Sequence, residues 1–313
     1  DLTVNAIARG EDGQLVDPFG GQRDLKARVL RHVTDAFRED PVRILRLARF
    51  AARFPDFSVA PETQTLMRAM AEGGEVDALV PERVWQELSR GLLAAKPSRM
   101  LEVLRDCGAL KVLLPEVDAL FGVPQPPQHH PEVDTGEHLL LALQAAAARN
   151  APVTVRFAVL LHDLGKALTP IGEWPRHIAH ETRGLAAVEA VCARWRVPQE
   201  HRKLAVLACR FHTTVHRGLE LRATTLLELY ASCDAFRRPA RFKELLEACE
   251  CDARGRLGRG QEPYPQRARL EAGLAAAAAV TLDETERAGL AGPAIGERLH
   301  RKRLAAIEAA CPR

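Results

Sequence analysis

The sequence predicts a mainly α-helical protein with a short α/β piece at its N-terminus, and three observations predict it. Alanine and leucine dominate the 313 residues while aromatic residues make up only 5%. Ala and Leu lose little rotamer freedom in a helix, so that balance favours helix over sheet. From about residue 35 onward apolar residues recur at helical spacing; Ile44, Leu47, Ala48 and Ala51 fall at i, i+3, i+4 and i+7 and make one buried face. Only residues 1–25 read as β. There Leu2, Val4 and Ala6 alternate with polar residues, Asp12-Gly13 marks a turn, and Gln14-Leu15-Val16 offers a return strand before Pro18 and Gly20-Gly21.

The same periodicity predicts further helices at 62–73, 81–94, 97–107, 136–149, 154–166, 181–195, 199–212, 224–235, 239–252 and 264–279. Between them, Gly122-Val-Pro-Gln-Pro-Pro-Gln-His-His-Pro131 is the clearest linker, because its prolines forbid a continuous helix. Four segments follow: 1–25, 26–135, 136–237 and 238–313. A length of 313 residues allows two or three domains, and 47% hydrophobic residues can bury a substantial core.

Composition excludes little about partners. The net charge of +3, from 44 basic and 41 acidic residues, does not itself indicate nucleic acid; only local clustering would. No apolar run is long enough to span a bilayer and no signal-peptide pattern is present, so no membrane partner is expected. Seven scattered cysteines with no CxxC pair read as reduced thiols of a cytoplasmic protein. The opening Asp1-Leu2-Thr3-Val4-Asn5-Ala6 looks like the middle of an element, and a further N-terminal portion is expected.

The first constellation with chemistry is Phe37-Arg38-Glu39-Asp40-Pro41-Val42-Arg43-Ile44-Leu45-Arg46-Leu47-Ala48-Arg49. Asp40 followed by Pro41 reads as a helix start. Arg43, Arg46 and Arg49 then follow at intervals of three, so Asp40, Arg43 and Arg46 share one side. A carboxylate beside a guanidinium fork matches the edge of a nucleobase, and the further arginines suit phosphates. The plainer reading is a solvated face with an Asp–Arg helix pair.

Glu39-Asp40-Pro41-Val42-Arg43 resembles the EDxxR motif of class II CCA-adding enzymes. Asp1-Leu2-Thr3-Val4-Asn5-Ala6, Asp17-Pro18-Phe19-Gly20-Gly21 and Leu79-Val80-Pro81-Glu82-Arg83-Val84-Trp85 resemble segments of that family's head and neck. The resemblance implies transfer of CMP and AMP from CTP and ATP to the 3′ end of tRNA without a nucleic-acid template. It implies that Asp40 and Arg43 contact the base and that Arg46 and Arg49 contribute to nucleotide binding. It makes 1–25 the end of an α/β nucleotidyltransferase head and 26–135 a helical neck. The family's Gly-rich loop and Mg²⁺-binding carboxylates would lie upstream of position 1, so this stretch alone is expected not to add nucleotides.

The second constellation is Leu160-Leu161-His162-Asp163-Leu164-Gly165-Lys166, an adjacent His and Asp after an apolar helical run. Burying such a pair without a partner is costly, and a metal ion would satisfy both. His138 upstream and Asp234 downstream complete an H…HD…D set. The plainer reading of the pair is a helix cap or a buried salt bridge. The pattern resembles the HD phosphohydrolase superfamily, which makes 136–237 an all-α HD domain and 238–313 a helical tail. The implied chemistry is metal-assisted hydrolysis of 2′,3′-cyclic phosphates, 2′-nucleotides and phosphomonoesters. Mn²⁺, Ni²⁺, Mg²⁺ or Zn²⁺ would suit the mixed N/O ligands. Lys166 is expected to neutralise substrate charge, and His177, His180 and His212 are candidates for a second metal, a general acid or support of the first ligands. A stand-alone HD nucleotide phosphohydrolase and a non-catalytic tRNA-binding module remain the alternatives. Monomer and homodimer both stay open.

Overall fold

Prolines punctuate the chain. Pro61, Pro81, Pro97, Pro115, Pro239 and Pro265 each stand at the first position of a helix, where the missing N–H loses no helical bond and φ is already set. The computed structural model describes residues 1–288 and 290–312, and among these the helices follow the predicted order.

The N-terminal piece is the exception. Ala8–Arg9 pairs antiparallel with Leu15–Val16, but the expected strand over residues 2–6 is a short 3-10 turn, Thr3–Asn5. Leu2 and Thr3 are both buried, which a strand with one face in water would not allow. Thr3 Oγ1 donates to the buried Asp24 carboxylate at 2.8 Å, which also accepts from Arg31 Nε at 3.0 Å. Thr3 N donates to Arg31 O at 2.9 Å, which fastens this piece to the neck, where Val29–Leu30 pairs parallel with Ser58–Val59.

The neck is built from Val42–Arg53, Pro61–Glu72, Pro81–Leu92 and Pro97–Asp106, with the short helices Ala109–Leu113 and Pro115–Asp118. Val42–Arg53 buries Ile44, Leu45, Leu47, Ala48, Ala51 and Ala52. Its contacts run to Pro97–Asp106 and Pro81–Leu92.

Thr135–Ala148, Val153–Leu161, His180–Arg194, Gln199–His216, Ala223–Ser232 and Pro239–Arg254 follow. Val153–Leu161 ends one turn earlier than expected, and a 3-10 segment, Leu164–Leu168, continues it. Gln199–His216 is one turn longer than expected. Pro239–Arg254 packs against both Thr135–Ala148 and Val153–Leu161, so it belongs with them and not with the tail to which residues 238 onward were assigned. The tail comprises Pro265–Ala278, Glu284–Arg287 and Gly292–Ala310. All seven cysteines are free and buried. Among the described residues, no helix is long and apolar enough to cross a membrane.

Candidate metal centre

Helix ends and one helix face place the ligands. Leu160 and Leu161 lock the end of Val153–Leu161 into the core, so His162, which caps it, and Asp163, the next residue, are held inside the protein. His162 donates Nδ1–H to Val159 O at 2.7 Å, which leaves Nε2 to a proton or an ion; burial pushes the ring pKa down, but Asp163 and Asp252 outweigh it and raise it to about 9. Nε2 lies 3.1 Å from Asp163 Oδ2 and 3.7 Å from Asp252 Oδ2. His138, on Thr135–Ala148, brings its Nε2 within 3.0 Å of Asp252 Oδ1.

A second group adjoins the first. His180 gives Nδ1–H to His177 O at 2.9 Å, and His212 gives its own to Ala208 O at 3.0 Å. Their Nε2 atoms face each other at 3.1 Å and lie 3.5 and 3.4 Å from Asp163 Oδ1. With both Nδ1 protons committed, these nitrogens present lone pairs to one another and to a carboxylate. Only a proton or a cation satisfies that arrangement.

Donor chemistry supports a divalent ion. His162 Nε2 and Asp163 Oδ1 are buried with no hydrogen-bond partner. His138, His162 and Asp252 form one set of atoms close enough to share an ion, and Asp163, His180 and His212 form another; the adjoining His130, Glu132 and His138 also lie that close together. Each set supplies three donors and leaves coordination positions open, as catalytic sites require. Burial pushes the Asp163 carboxyl up, but His162 and Lys166 outweigh it and hold it well below the usual carboxylate range. Burial likewise pushes Asp252 up, and His216 and His162 overcome it.

Asp234 does not join either set. It follows Ala223–Ser232 in a left-handed turn at φ 52°, half-exposed, with Arg237 at 3.8 Å and Arg241 at 3.5 Å. Asp252 stands where Asp234 was expected. His177 is also outside both sets: its ring nitrogens lie 2.7 Å from Thr169 Oγ1 and 2.7 Å from Pro124 O. Lys166 Nζ is 2.7 Å from Asp163 Oδ2 and donates to Gln125 Oε1 at 2.5 Å. It therefore orients Asp163 as well as lining the pocket. Above the ligands opens a cavity of about 420 Å³ rimmed by Arg176, Arg217 and Arg256.

In the neck, Asp40 is close to Arg43 in sequence but is held by another arginine. Arg83 Nη1 and Nη2 donate to the two Asp40 oxygens at 3.1 and 2.7 Å, while Arg43 donates to Ala36 O. Arg46 pairs with Asp1 at 2.8 Å and Arg49 with Glu87 at 2.5 Å.

The family described as the HD domain matches residues 135–250, and the family described as the probable RNA and SrmB-binding site of polymerase A matches 56–121. A multifunctional CCA protein of Variovorax paradoxus is 61% identical over 99% of this chain and 78% of its own. The multifunctional CCA protein of Pseudomonas aeruginosa is 56% identical over 99% of this chain and 76% of its own. This chain belongs to the multifunctional CCA protein family. Solved CCA-adding enzymes share its fold. One in complex with CTP superposes with a TM-score of 0.59 at 19% identity, over 98% of this chain and 67% of that one. One from Thermotoga maritima, complexed with tRNA, gives 0.54 at 21% identity, over 100% and 68%.

Two site residues of this family member escaped sequence reasoning, and each left a signal. Asp252 falls ten residues after Phe242 on the face that buries Phe242, Leu245, Leu246 and Cys249, so it is a carboxylate on an apolar stripe. His216 follows His212 by one helical turn and grips Asp252 Oδ2 at 2.5 Å; its other nitrogen meets Tyr264 of the tail at 2.9 Å.

Proposed function

We propose that the chain serves the completion and repair of tRNA 3′ ends, with a neck that selects CTP and ATP and a metal-dependent HD domain that hydrolyses phosphate esters. The observation that carries the second part is the convergence of His138, His162, His180 and His212 on Asp163 and Asp252, with His180, His212 and the two carboxylates lining a cavity rimmed by arginines. In this reading the HD domain runs to Arg254, and Asp252 replaces Asp234 as its last ligand. A divalent ion bound there supplies Lewis acidity toward a phosphoryl oxygen. Four imidazole nitrogens suit nickel or zinc better than magnesium, and the two carboxylates leave manganese open.

The residues divide the remaining work. Val159, His177 and Ala208 carbonyls fix the tautomers of His162, His180 and His212. Lys166 holds Asp163 in place. Arg176, Arg217 and Arg256 line the mouth, where their guanidinium groups suit phosphate oxygens. A cavity of about 420 Å³ is on the scale of ordinary small-ligand sites, which fits a terminal nucleotide carrying a 2′- or 2′,3′-cyclic phosphate.

The stand-alone phosphohydrolase reading is set aside, because relatives named for CCA addition match the chain from end to end. For the neck, Asp40 and Arg43 remain the proposed base-reading pair, with Arg46 and Arg49 beside them and Arg83 as the partner that orients Asp40. The test is hydrolysis of 2′,3′-cyclic AMP and 2′-AMP with nickel, manganese or magnesium added after chelation. Activity restored by a metal in the wild type and lost in His162→Ala and Asp163→Ala supports the proposal. Chelator-resistant hydrolysis defeats it.

A further inference from the structure

The proline-rich segment 122–131 reads as a tether, yet it is fastened along the wall of the metal centre. Thr135 N and Oγ1 both donate to Val123 O at 2.9 Å, Pro124 O meets His177 Nε2 at 2.7 Å, and Gln125, buried, accepts from Lys166. Arg259 donates to Gln128 O at 2.9 Å. At its end stands Glu132, whose side chain is 4% exposed. Glu132 Oε2 accepts from Leu257 N at 3.0 Å. Its Oε1 lies 2.8 Å from His138 Nδ1 and 3.1 Å from His130 Nδ1. Neither Lys nor Arg pairs with it among the described residues; its charge faces two imidazoles.

We propose that Glu132 is the positioning residue of the metal centre: with its Oε1 2.8 Å from His138 Nδ1, it would accept the Nδ1–H of that ring when an ion takes the place of the proton between Nε2 and Asp252 Oδ1, and so hold Nε2 toward the ion. This rests on the metal reading above. The other three histidines hand Nδ1–H to backbone carbonyls; His138 Nδ1 instead faces a carboxylate at 2.8 Å, closer than the 3.6 Å between His180 Nδ1 and Glu181 Oε2. A carboxylate behind a ligating imidazole fixes its tautomer and raises its basicity, and loss of such a partner typically weakens metal affinity about 10–100-fold. Glu132 precedes the matched HD segment, 135–250, and Leu257 follows it, so the strap and the 255–260 loop together supply the contact at His138 Nδ1.

The experiment compares the full chain with Glu132→Ala and Glu132→Gln, using manganese binding by calorimetry and the ¹⁵N shifts of labelled histidine rings in the protein loaded with diamagnetic zinc. Glutamine keeps an oxygen acceptor for Nδ1–H; alanine does not. Expected are an Nδ1-protonated His138 in wild type and Glu132→Gln, a mixture of tautomers in Glu132→Ala, and manganese affinity about 10–100-fold weaker in Glu132→Ala but mostly kept in Glu132→Gln. Wild-type affinity in Glu132→Ala, or equal losses with an unchanged tautomer in both variants, overturns the positioning role. A wild-type chain that binds neither manganese nor nickel overturns the metal reading, and this role with it.

Discussion

Replacing Asp252 with asparagine tests the assignment of the last ligand most sharply, because the sequence offers a decoy. Cys233-Asp234-Ala235 and Cys251-Asp252-Ala253 are twin tripeptides, and only the fold tells them apart. Asp252 is buried and touches His138 at 3.0 Å and His216 at 2.5 Å. Asparagine keeps its shape but loses the charge that would hold a cation. If the ion contributes several kcal/mol of transition-state stabilisation, then at about 1.36 kcal/mol per decade its loss costs on the order of 10²–10³ in rate. Asp234 is 39% exposed with arginines at 3.5 and 3.8 Å, a pair worth about 0–1 kcal/mol, and asparagine tolerates its left-handed backbone. The assay is initial-rate hydrolysis of 2′-AMP at saturating manganese, with far-ultraviolet circular dichroism as the folding control. Asp252→Asn should lose at least about a hundredfold, and Asp234→Asn should stay within about twofold, the scale of a surface ion pair. A folded, fully active Asp252→Asn, or an inactive Asp234→Asn, refutes the assignment.

Three further outcomes follow from the packing. A Cβ on Gly165 would meet His180 O at 1.9 Å and Gly184 N at 2.7 Å, so Gly165→Ala should push the His180 helix off Asp163, cost about 1–3 kcal/mol by urea denaturation and weaken manganese binding. Arg156 is buried and donates to Ala151 O, Leu92 O and Ala94 O at 2.8, 2.7 and 3.0 Å; Arg156→Leu strands those carbonyls and should lower stability by about 3 kcal/mol or more, whereas a change below about 1 kcal/mol would count against their being stranded. In the neck, burial pushes the Asp40 carboxyl up but the Arg83 guanidinium outweighs it and lowers it. The pair therefore adds stability above the ordinary aspartate value of about 3.9 and loses it as pH falls through the lowered value. Arg83→Ala should cost up to about 1 kcal/mol at pH 7 and nothing at a pH below that lowered value, measured by urea titration at each pH.

Helices were legible because their signals are local. Periods of 3.6 placed Pro61–Glu72, Pro81–Leu92 and Pro97–Asp106 within a turn. The strand expected over residues 2–6 failed because Leu2 and Thr3 are both drawn inward, Thr3 by the buried Asp24, and that partner is 21 residues away. At the site, His138 and His162-Asp163 were legible as histidines and a carboxylate beside apolar runs, and the structure brings them together with His180 and His212. Asp252 was not, since its meaning depends on which helix packs against Thr135–Ala148. Asp40 and Arg43 show the same limit: helical spacing puts them on one side, but Arg83, 43 residues from Asp40, takes its carboxylate.

The packing between neck and HD helices argues that the two parts work as one body. Trp85 of the neck meets Phe157 and His201 edge-on, at centroid distances of 5.1 and 5.0 Å. Trp195 Nε1 donates to Leu113 O at 3.0 Å, Arg194 pairs with Glu116, and Arg156 caps the carbonyls that end Pro81–Leu92. One buried apolar cluster includes Ile44 and Leu88 as well as Leu160 and Leu246. The strap from Gly122 to Asp134 then runs from the neck directly into the wall of the metal centre. A cut between residues 135 and 136 would therefore open an apolar face and remove Glu132 and Gln125 from the site; a cut after 237 would remove Asp252. The HD part isolated as 136–237 should accordingly come out insoluble or metal-free, and a soluble, metal-loaded 136–237 fragment would show that the shared core is dispensable.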